Sequence, residues 1–314
     1  MKGRDERVVV LGATGPTGIH LARTLVEKGL PVRVVARTEA RLRETFRGLE
    51  VEVHAADLAS VEAGRRALEG CRLAFDCVGL TPAQMELHPT VARAIAGALR
   101  TTGARCVQVS SFWSYLPVRN LPLTENHPRE GGPPWVRLRR EAEDILQGAG
   151  AAVLQLPDFF GPEVHTSSLQ NALVQALAGR PMEFLGAADD KRDYVFVPDA
   201  MRTAIALSTK DAAFGERWIV AGSGPLSPRA LAALCGELLG REARLRLAAP
   251  WMLRLLSFFS ADLRRFLPMA PHYAQPIRYD ASKLEQLLGA QPRTPYPEAL
   301  RATFEWLRGP RDAG

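Results

Sequence analysis

Cysteine is scarce in this sequence and its positions are scattered. No two cysteines form a C-x-x-C pair, so neither a disulfide framework nor a zinc site is predicted. The six histidines also lack the spacing of metal ligands, and we expect no metal. We interpret the four cysteines as buried thiols: Cys71, Cys77, Cys106 and Cys235.

Long apolar runs are also missing. The run that follows the first charged residues, Val8–Leu11, is too short for the hydrophobic region of a signal peptide. No stretch approaches the roughly 18 apolar residues of a membrane-spanning helix. We therefore expect a cytoplasmic protein without a transmembrane segment.

Lysine is rare, although the chain is basic. Only five of the 40 basic residues are lysines, and the rest are arginines. The formal net charge is +6, but acidic residues are mixed with the basic ones along the whole chain. We interpret the arginine excess as a compositional bias and expect no nucleic-acid partner.

Strand and helix patterns alternate through the first half of the chain. Apolar runs predict strands at Val8–Leu11, Val32–Ala36, Val51–Ala55, Leu73–Val78, Arg105–Val109 and Ala152–Leu156. Helical spacing follows the first strand, and further helices are predicted near 39–47, 60–69, 89–102 and 134–148. This alternation predicts an α/β fold, a Rossmann-type doubly wound parallel sheet with helices on both faces.

The turn between the first strand and the first helix is rich in glycine. At this position backbone N–H groups and a helix N-terminus bind a pyrophosphate, and glycine lets the phosphate approach closely. The alternative is a tight turn without a ligand. We predict a dinucleotide site that includes Gly12, Ala13, Thr14, Gly15, Pro16, Thr17 and Gly18.

The end of the second predicted strand carries a basic residue. An acidic side chain there would accept hydrogen bonds from the ribose 2′-hydroxyl of NAD(H), whereas the guanidinium of Arg37 fits a 2′-phosphate. Arg37 therefore favours NADP(H) over NAD(H), with Thr38 and Arg41 as helpers. The alternative is an ordinary solvated arginine.

These motifs together resemble the short-chain dehydrogenase/reductase superfamily, in the extended and atypical branch that includes NAD(P)-dependent epimerases and dehydratases. The glycines have its G-x-x-G-x-x-G spacing. VSSFWSY (109–115) is similar to its fifth-strand motif, which implies a catalytic role for Ser111, and LPDFFGP (156–162) to its loop beside the nicotinamide. The resemblance also implies cofactor contacts for Asp57, Leu58, Cys77, Val78, Gly79 and Pro157.

The resemblance continues nearly to the end of the chain, through segments 176–186, 191–207 and 279–307. It implies a Rossmann domain over 1–157, to which 191–222 returns. It also implies a smaller substrate-binding lobe within 158–314, built mainly from 158–190 and 224–275.

The catalytic pair of the family is absent. Its members carry Tyr-x-x-x-Lys on the helix before the sixth strand, but Trp135 and Arg139 occupy those two places here. An indole N–H does not release its proton at neutral pH, so Trp135 cannot serve as a general acid or base. Arg139 can still donate to the ribose hydroxyls. The alternative is that Trp135 only packs in the core and Arg139 is a solvated charge.

Other side chains are candidates for the missing proton donor. Tyr115 lies four residues after Ser111, and we consider it a catalytic substitute whose pKa a nearby Arg139 would lower. The alternative is an aromatic residue that only packs. Asp158 and Glu163, in the loop expected beside the nicotinamide, are also candidates if buried.

The segment 247–269 combines aromatic and aliphatic residues with arginines. Three interpretations stay open: packed helices of the substrate lobe, a face for an apolar substrate or a partner, and a membrane-surface helix. We expect a small-molecule substrate, apolar under the second interpretation. A homodimer is left open.

The function expected from the sequence is NADP(H)-dependent hydride transfer to a small carbonyl or from a hydroxyl compound, in an oxidoreductase or an epimerase-like enzyme. The alternative is a catalytically silent NADP(H) sensor or assembly scaffold. The loss of the tyrosine favours the alternative, and the retained Ser111 favours the enzyme.

Overall fold

A computed structural model describes residues 7–248 and 250–309. Its strands are β1 (Val8–Leu11), β2 (Val32–Ala36), β3 (Val51–Ala55), β4 (Leu73–Asp76), β5 (Arg105–Ser111), β6 (Ala152–Leu156), β7 (Asp158–Phe160), β8 (Met182–Leu185), β9 (Arg192–Phe196), β10 (Arg217–Ile219), β11 (Pro225–Leu226) and β12 (Leu245–Ala248). Its helices are α1 (Pro16–Glu27), α2 (Glu39–Thr45), α3 (Val61–Leu68), α4 (His88–Thr102), α5 (Pro134–Gly148), α6 (Ser168–Leu177), α7 (Val197–Ser208), α8 (Pro228–Leu239), α9 (Pro250–Leu256), α10 (Ala261–Phe266), α11 (Ala270–Tyr273), α12 (Ser282–Leu288) and α13 (Tyr296–Leu307). Short 3₁₀ turns span Pro82–Leu87, Phe112–Tyr115 and Asp211–Ala213.

Seven of these strands form the central parallel sheet, in the order β10-β6-β5-β4-β1-β2-β3. The chain leaves β1 on one side to form β2 and β3, then crosses to β4 on the other side. Ligands of such sheets bind beyond the carboxyl ends of the strands where the order reverses, which here is between β1 and β4. The predicted Rossmann-type sheet is confirmed; the one shortened strand is β4, which ends at Asp76, and β5 continues to Ser111.

Alternate residues of β1 supply the two faces of the core. Val8 and Val10 pack with apolar side chains of α1 and α7 on one face. Val9 and Leu11 pack with those of α3, α4 and α5 on the other. Helices cover both faces, so the strands are mainly apolar; the edge strand β3, with the exposed Glu52, is the most polar of those on this side.

The second half of the chain adds smaller sheets beside the central one. Strands β11, β9 and β7 form a three-stranded sheet, and β12 pairs with β8. Helices α6, α8 and α13 pack around them in a separate apolar cluster. Strand β10 pairs with β6 in the central sheet, and α7 packs on α1. The boundaries at 157 and 222 themselves stay a prediction.

Candidate cofactor and substrate site

Two glycines of the turn after β1 are required by close backbone packing. Gly12 has φ +71°, and a Cβ added to it would lie 2.6 Å from the carbonyl oxygen of Cys77. A Cβ on Gly18 would lie 2.5 Å from the carbonyl oxygen of Gly12. Both distances are shorter than any real contact, so α1 and the chain after β4 can approach the turn only because these side chains are absent.

Two other glycines leave space that the protein does not fill. A Cβ on Gly15 would meet only the Gly12 carbonyl oxygen, at an ordinary 3.5 Å, and one on Gly79 would meet nothing within 4 Å. Gly15 is the N-cap residue of α1 and offers no side chain to cap the helix, which begins at Pro16. Neither glycine presents a side chain that would block a ligand, an arrangement that fits a pyrophosphate at the N-terminus of α1.

The remaining predicted cofactor residues follow the carboxyl ends of neighbouring strands. Leu11 is in register with Val35 and with Asp76, which places the ends of β1, β2 and β4 side by side. Arg37 follows β2 with an exposed side chain. Asp57 is exposed and accepts a hydrogen bond from the Ala59 N–H, whereas Leu58 is buried. One edge of the sheet thus carries Gly12–Gly18, Arg37, Asp57–Leu58 and Cys77–Gly79.

A cavity of about 720 Å³ lies beyond the ends of β5 and β6. Ser111, Arg139 and Pro157, all predicted from the sequence, line it together with Asp158. The Ser111 Oγ accepts a hydrogen bond from the Trp113 N–H at 3.3 Å. Most of the wall is apolar, with side chains that include Leu80, Phe112, Trp113, Phe159, Phe184, Leu185, Leu253, Leu263, Phe266 and Tyr273.

Arg139 is a half-buried cation in the cavity wall. Its Nε is enclosed and has no hydrogen-bond partner among the described residues. Burial lowers the pKa of its guanidinium, and the carboxylates of Glu143 and Asp76 act in the opposite direction. A free donor at this place fits the role of binding ribose hydroxyls.

Asp158 and Arg192 are the buried charged residues of the cavity wall. Asp158 is buried, accepts a hydrogen bond from the Ser168 hydroxyl, and has a pKa raised by burial. Arg192 is 5% exposed, and one of its nitrogens donates to main-chain carbonyls of residues 272, 273 and 275. Its Nε and Nη2 are enclosed without partners in the described part of the chain, so they can bind an oxygen of a ligand.

The structure does not bring Tyr115 or Glu163 to this cavity. Tyr115 is fully buried, and its hydroxyl donates to Gln155 Oε1 at 2.7 Å. Burial, followed by the charge of Glu143, raises its pKa, opposite to the lowering expected from Arg139. Glu163 pairs with Arg23 at 2.8 Å. Of the expected proton donors, only Asp158 and Ser111 line the cavity.

Trp135 packs beside the cavity and does not line it. Its ring stacks on Trp113, with centroids 6.1 Å apart and planes 11° apart. The Trp113 indole N–H donates to the Tyr273 hydroxyl at 2.8 Å. Trp135 thus belongs to an aromatic group that fixes Trp113 and Tyr273 in the wall.

The sequence reasoning missed three residues of the site: Trp113, Arg192 and Tyr273. Trp113 is two residues after Ser111 in VSSFWSY, and an aromatic residue this close to a candidate hydrogen-bond donor could have indicated a wall residue. Arg192 and Tyr273 come from segments far along the chain from Ser111, and no local pattern singles out either side chain as a cavity residue.

Asp76, the last residue of β4, is a buried carboxylate beside the end of β1. Its carboxylate accepts from the Val78 N–H at 3.1 Å and from Gln108 Nε2 at 3.5 Å, and burial raises its pKa to about 6. Because the raised pKa disfavours the charged form only in the folded state, stability falls as pH rises from the ordinary carboxyl pKa to about 6.

We expect Asp76→Asn to stabilise the protein at neutral pH by about 3 kcal/mol and to have little effect near pH 4. The amide keeps the acceptor for Val78, and a flip of Gln108, whose Oε1 has no partner among the described residues, would satisfy the new N–H groups. Urea unfolding across this pH range measures the difference. Equal stabilities of the parent and the Asp76→Asn variant at every pH would show that the pKa of Asp76 is not raised.

Within residues 7–248 and 250–309, no helix combines the length and apolarity needed to cross a membrane. The same ranges contain no group of three or more His, Cys, Asp or Glu side chains arranged to hold a metal ion.

Comparison with known proteins identifies the nucleotide-binding part. A family model described as "NAD(P)H-binding" matches residues 12–153. The chain is 32% identical to ceramide reductase of Caulobacter vibrioides over 49% of this chain, and the match spans 47% of that protein, about half its length. It is 26% identical to NAD(P)H azoreductase of Xenophilus azovorans over 76% of this chain and 75% of that one.

Among solved structures, UDP-glucuronic acid 4-epimerase from Bacillus cereus, in complex with UDP-glucuronic acid and NAD, superposes with a TM-score of 0.79. The superposition covers 96% of this chain and 99% of that one, at 15% identity. An identity this low shows the shared fold alone. The match of residues 12–153 supports NAD(P)H binding by this part of the chain, and the chain shares its fold with that epimerase.

Proposed function

We propose that this chain is an NADP(H)-dependent oxidoreductase that reduces the carbonyl group of an apolar compound without the usual tyrosine and lysine. One observation carries the proposal: a largely apolar cavity beyond the ends of β5 and β6 is lined by Ser111, Arg139 and the buried Asp158. Ceramide reductase and NAD(P)H azoreductase, two of the relatives, are reductases by name, which supports the same class of reaction.

The cavity residues have distinct roles in the proposed reaction. Bound NADPH supplies the hydride for the carbonyl carbon. The Ser111 hydroxyl donates a hydrogen bond to the carbonyl oxygen, and Asp158, with its raised pKa, provides the proton that this oxygen takes up. Arg139 binds the ribose through its free Nε. Arg192 binds a polar group elsewhere on the substrate.

The apolar surface of the cavity wall supports this reaction over sugar-nucleotide epimerisation. Aromatic and aliphatic side chains bury apolar ligand surface at roughly 25 cal/mol per Å², whereas sugar hydroxyls buried against them would lose hydrogen bonds to water. Apolar atoms supply most of the cavity surface, although polar side chains also line it, and Asp158 and Arg192 are its buried charged residues. An apolar carbonyl therefore fits better than a UDP-sugar.

The experiment that tests the proposal has two parts. Calorimetric titration with NADPH, NADP⁺ and NADH should show binding with preference for the phosphorylated cofactors. NADPH oxidation is then followed with ketones and aldehydes of increasing chain length, and we expect kcat/KM to rise with apolar surface. Binding without turnover on any of these compounds would reject the reductase and leave a silent NADP(H) sensor, which the stacked Trp135 favours. No binding would reject both.

Arg37 is the residue on which the cofactor preference depends. Arg37→Asp should weaken NADPH about 10- to 100-fold, because a charge-assisted bidentate contact is replaced by repulsion, and should leave NADH nearly unchanged. Calorimetry with both cofactors measures the two affinities. Arg47→Asp, an exposed arginine just beyond α2, is the matched control for the change of surface charge. Equal losses for NADPH and NADH would remove Arg37 from the 2′-phosphate site.

A further inference from the structure

Helix α9 and the turn after it expose an unusual set of large apolar side chains. Trp251 is 66% exposed, Leu255 53%, Phe258 74% and Phe259 86%. We call these four residues the apolar tip. Single exposed apolar residues are normal on protein surfaces, but four within nine residues, three of them aromatic, mark an interaction site.

The same segment separates the apolar tip from the cavity. Leu253 of α9 and Leu263 and Phe266 of α10 line the cavity, whereas the tip residues point to solvent. Helix α10 also packs against the 3₁₀ turn Pro82–Leu87, and Pro82 lines the cavity as well. One thin layer of two short helices therefore has the cavity on one side and the apolar tip on the other.

Arginines surround the apolar tip. Segment 250–267 contains Arg254, Arg264 and Arg265 and a single acidic residue, Asp262. All three arginines are exposed, and Asp262 pairs with Arg265 at 3.1 Å. Arg264 donates to the carbonyl oxygens of Ser257 and Phe258, which fixes the turn that presents the phenylalanines. The surface is thus aromatic at its centre and positively charged at its edge.

We propose that the apolar tip inserts into the interfacial layer of an anionic lipid bilayer. Aromatic side chains are stable at the boundary between headgroups and acyl chains, and arginines beside them bind lipid phosphates. A protein partner would need a complementary acidic groove, whereas an anionic bilayer offers both the apolar layer and the negative charge. Docking in this way turns the α9–α10 layer of the cavity toward the bilayer. Lipid binding of this kind does not depend on the proposed reductase activity.

Co-sedimentation of the full chain with vesicles tests the proposal. We expect binding to vesicles of phosphatidylcholine mixed with phosphatidylglycerol, weaker binding to phosphatidylcholine alone, and a decrease with added salt. Phe258→Ser with Phe259→Ser should lower the partition coefficient at least about tenfold. Arg254→Gln with Arg265→Gln should lower it about tenfold on the mixed vesicles only.

Matched variants control for exposure and charge elsewhere. Val61→Ser with Val174→Ser removes two other exposed apolar side chains, 55% and 37% exposed, and Arg47→Gln with Arg100→Gln removes two other exposed arginines. Both pairs should bind as the parent does. Because all these positions are exposed, circular dichroism should show native folding for each variant.

Two results would overturn the proposal. One is failure of the parent chain to sediment with the mixed vesicles, or equal sedimentation of the parent and the Phe258/Phe259 variant. The other is concentration-dependent dimerisation in the absence of lipid that the Phe258/Phe259 variant abolishes, which would assign the apolar tip to a second copy of the chain. Cofactor titration is unaffected by either result, so it tests the proposed function separately.

Discussion

Ser111→Ala is expected to lower kcat for NADPH-dependent carbonyl reduction by about 10²- to 10³-fold, the range for loss of one preorganised donor to a developing oxyanion. The hydroxyl of Ser111 lines the cavity at the end of β5, and its Oγ is already oriented by the Trp113 N–H at 3.3 Å. The NADPH dissociation constant should be unchanged, because the serine contacts the substrate oxygen. Steady-state kinetics and calorimetry on the same preparation measure the two quantities.

Ser110 is the control for this substitution. It is the neighbouring residue of β5, but its hydroxyl is buried on the other side and donates to Glu143 Oε1. Ser110→Ala should lower thermal stability and leave kcat per folded molecule within a few-fold of the parent. If Ser111→Ala retained full kcat while NADPH still bound, the serine would have no role in the reaction.

The sheet was predictable because each strand carries its own signal. Strands β1, β2, β3 and β6 lie at the residues expected, because covered strands are mainly apolar and the edge strand β3 has apolar residues at alternate positions. The glycine turn was predictable for a related reason. The backbone of Gly12 packs against Cys77, just after β4, and that of Gly18 packs against Gly12. Neither contact leaves room for a Cβ, so the glycine spacing in the sequence indicates this packing.

The position of Tyr115 could not be read from spacing alone. Four residues after Ser111 would place it near the serine on a regular helix, but residues 112–115 form a 3₁₀ turn that directs the ring into the core. There its hydroxyl binds Gln155 of β6, a partner 40 residues away. Whether Tyr115 lines the cavity or packs in the core depends on this hydrogen bond to Gln155, which no local sequence pattern indicates.

The segment 247–269 shows why its three interpretations could not be separated by pattern. Helices α9 and α10 are short, seven and six residues, so inward and outward apolar side chains alternate too quickly for a clear amphipathic stripe. Leu253 and Phe266 face the cavity and Phe258 and Phe259 face solvent. The interpretations as packed helices and as a face for an apolar substrate both describe the side that faces the cavity. The side that faces solvent is the basis of the lipid proposal.

Asp158→Asn is expected to lower kcat by about 10²- to 10⁴-fold, the range for removal of a positioned general acid. Asparagine keeps an acceptor for the Ser168 hydroxyl and nearly the same volume, so the cavity should keep its shape. Burial raises the pKa of Asp158, while the Ser168 hydrogen bond and the charge of Arg192 lower it, and burial dominates. The carboxyl therefore stays protonated to a higher pH than an exposed aspartate.

This shift predicts the direction of the pH dependence. A general acid works only while it holds its proton, so kcat of the parent should fall as pH rises through the raised pKa of Asp158. The Asp158→Asn variant should lack that limb, and its residual rate, with water as the proton source, should be nearly flat over the same range. Glu163→Gln is the control, because this carboxylate of the same loop pairs with Arg23 away from the cavity and should leave rate and profile unchanged. An Asp158→Asn variant with the parent's pH profile would show that the proton comes from another group.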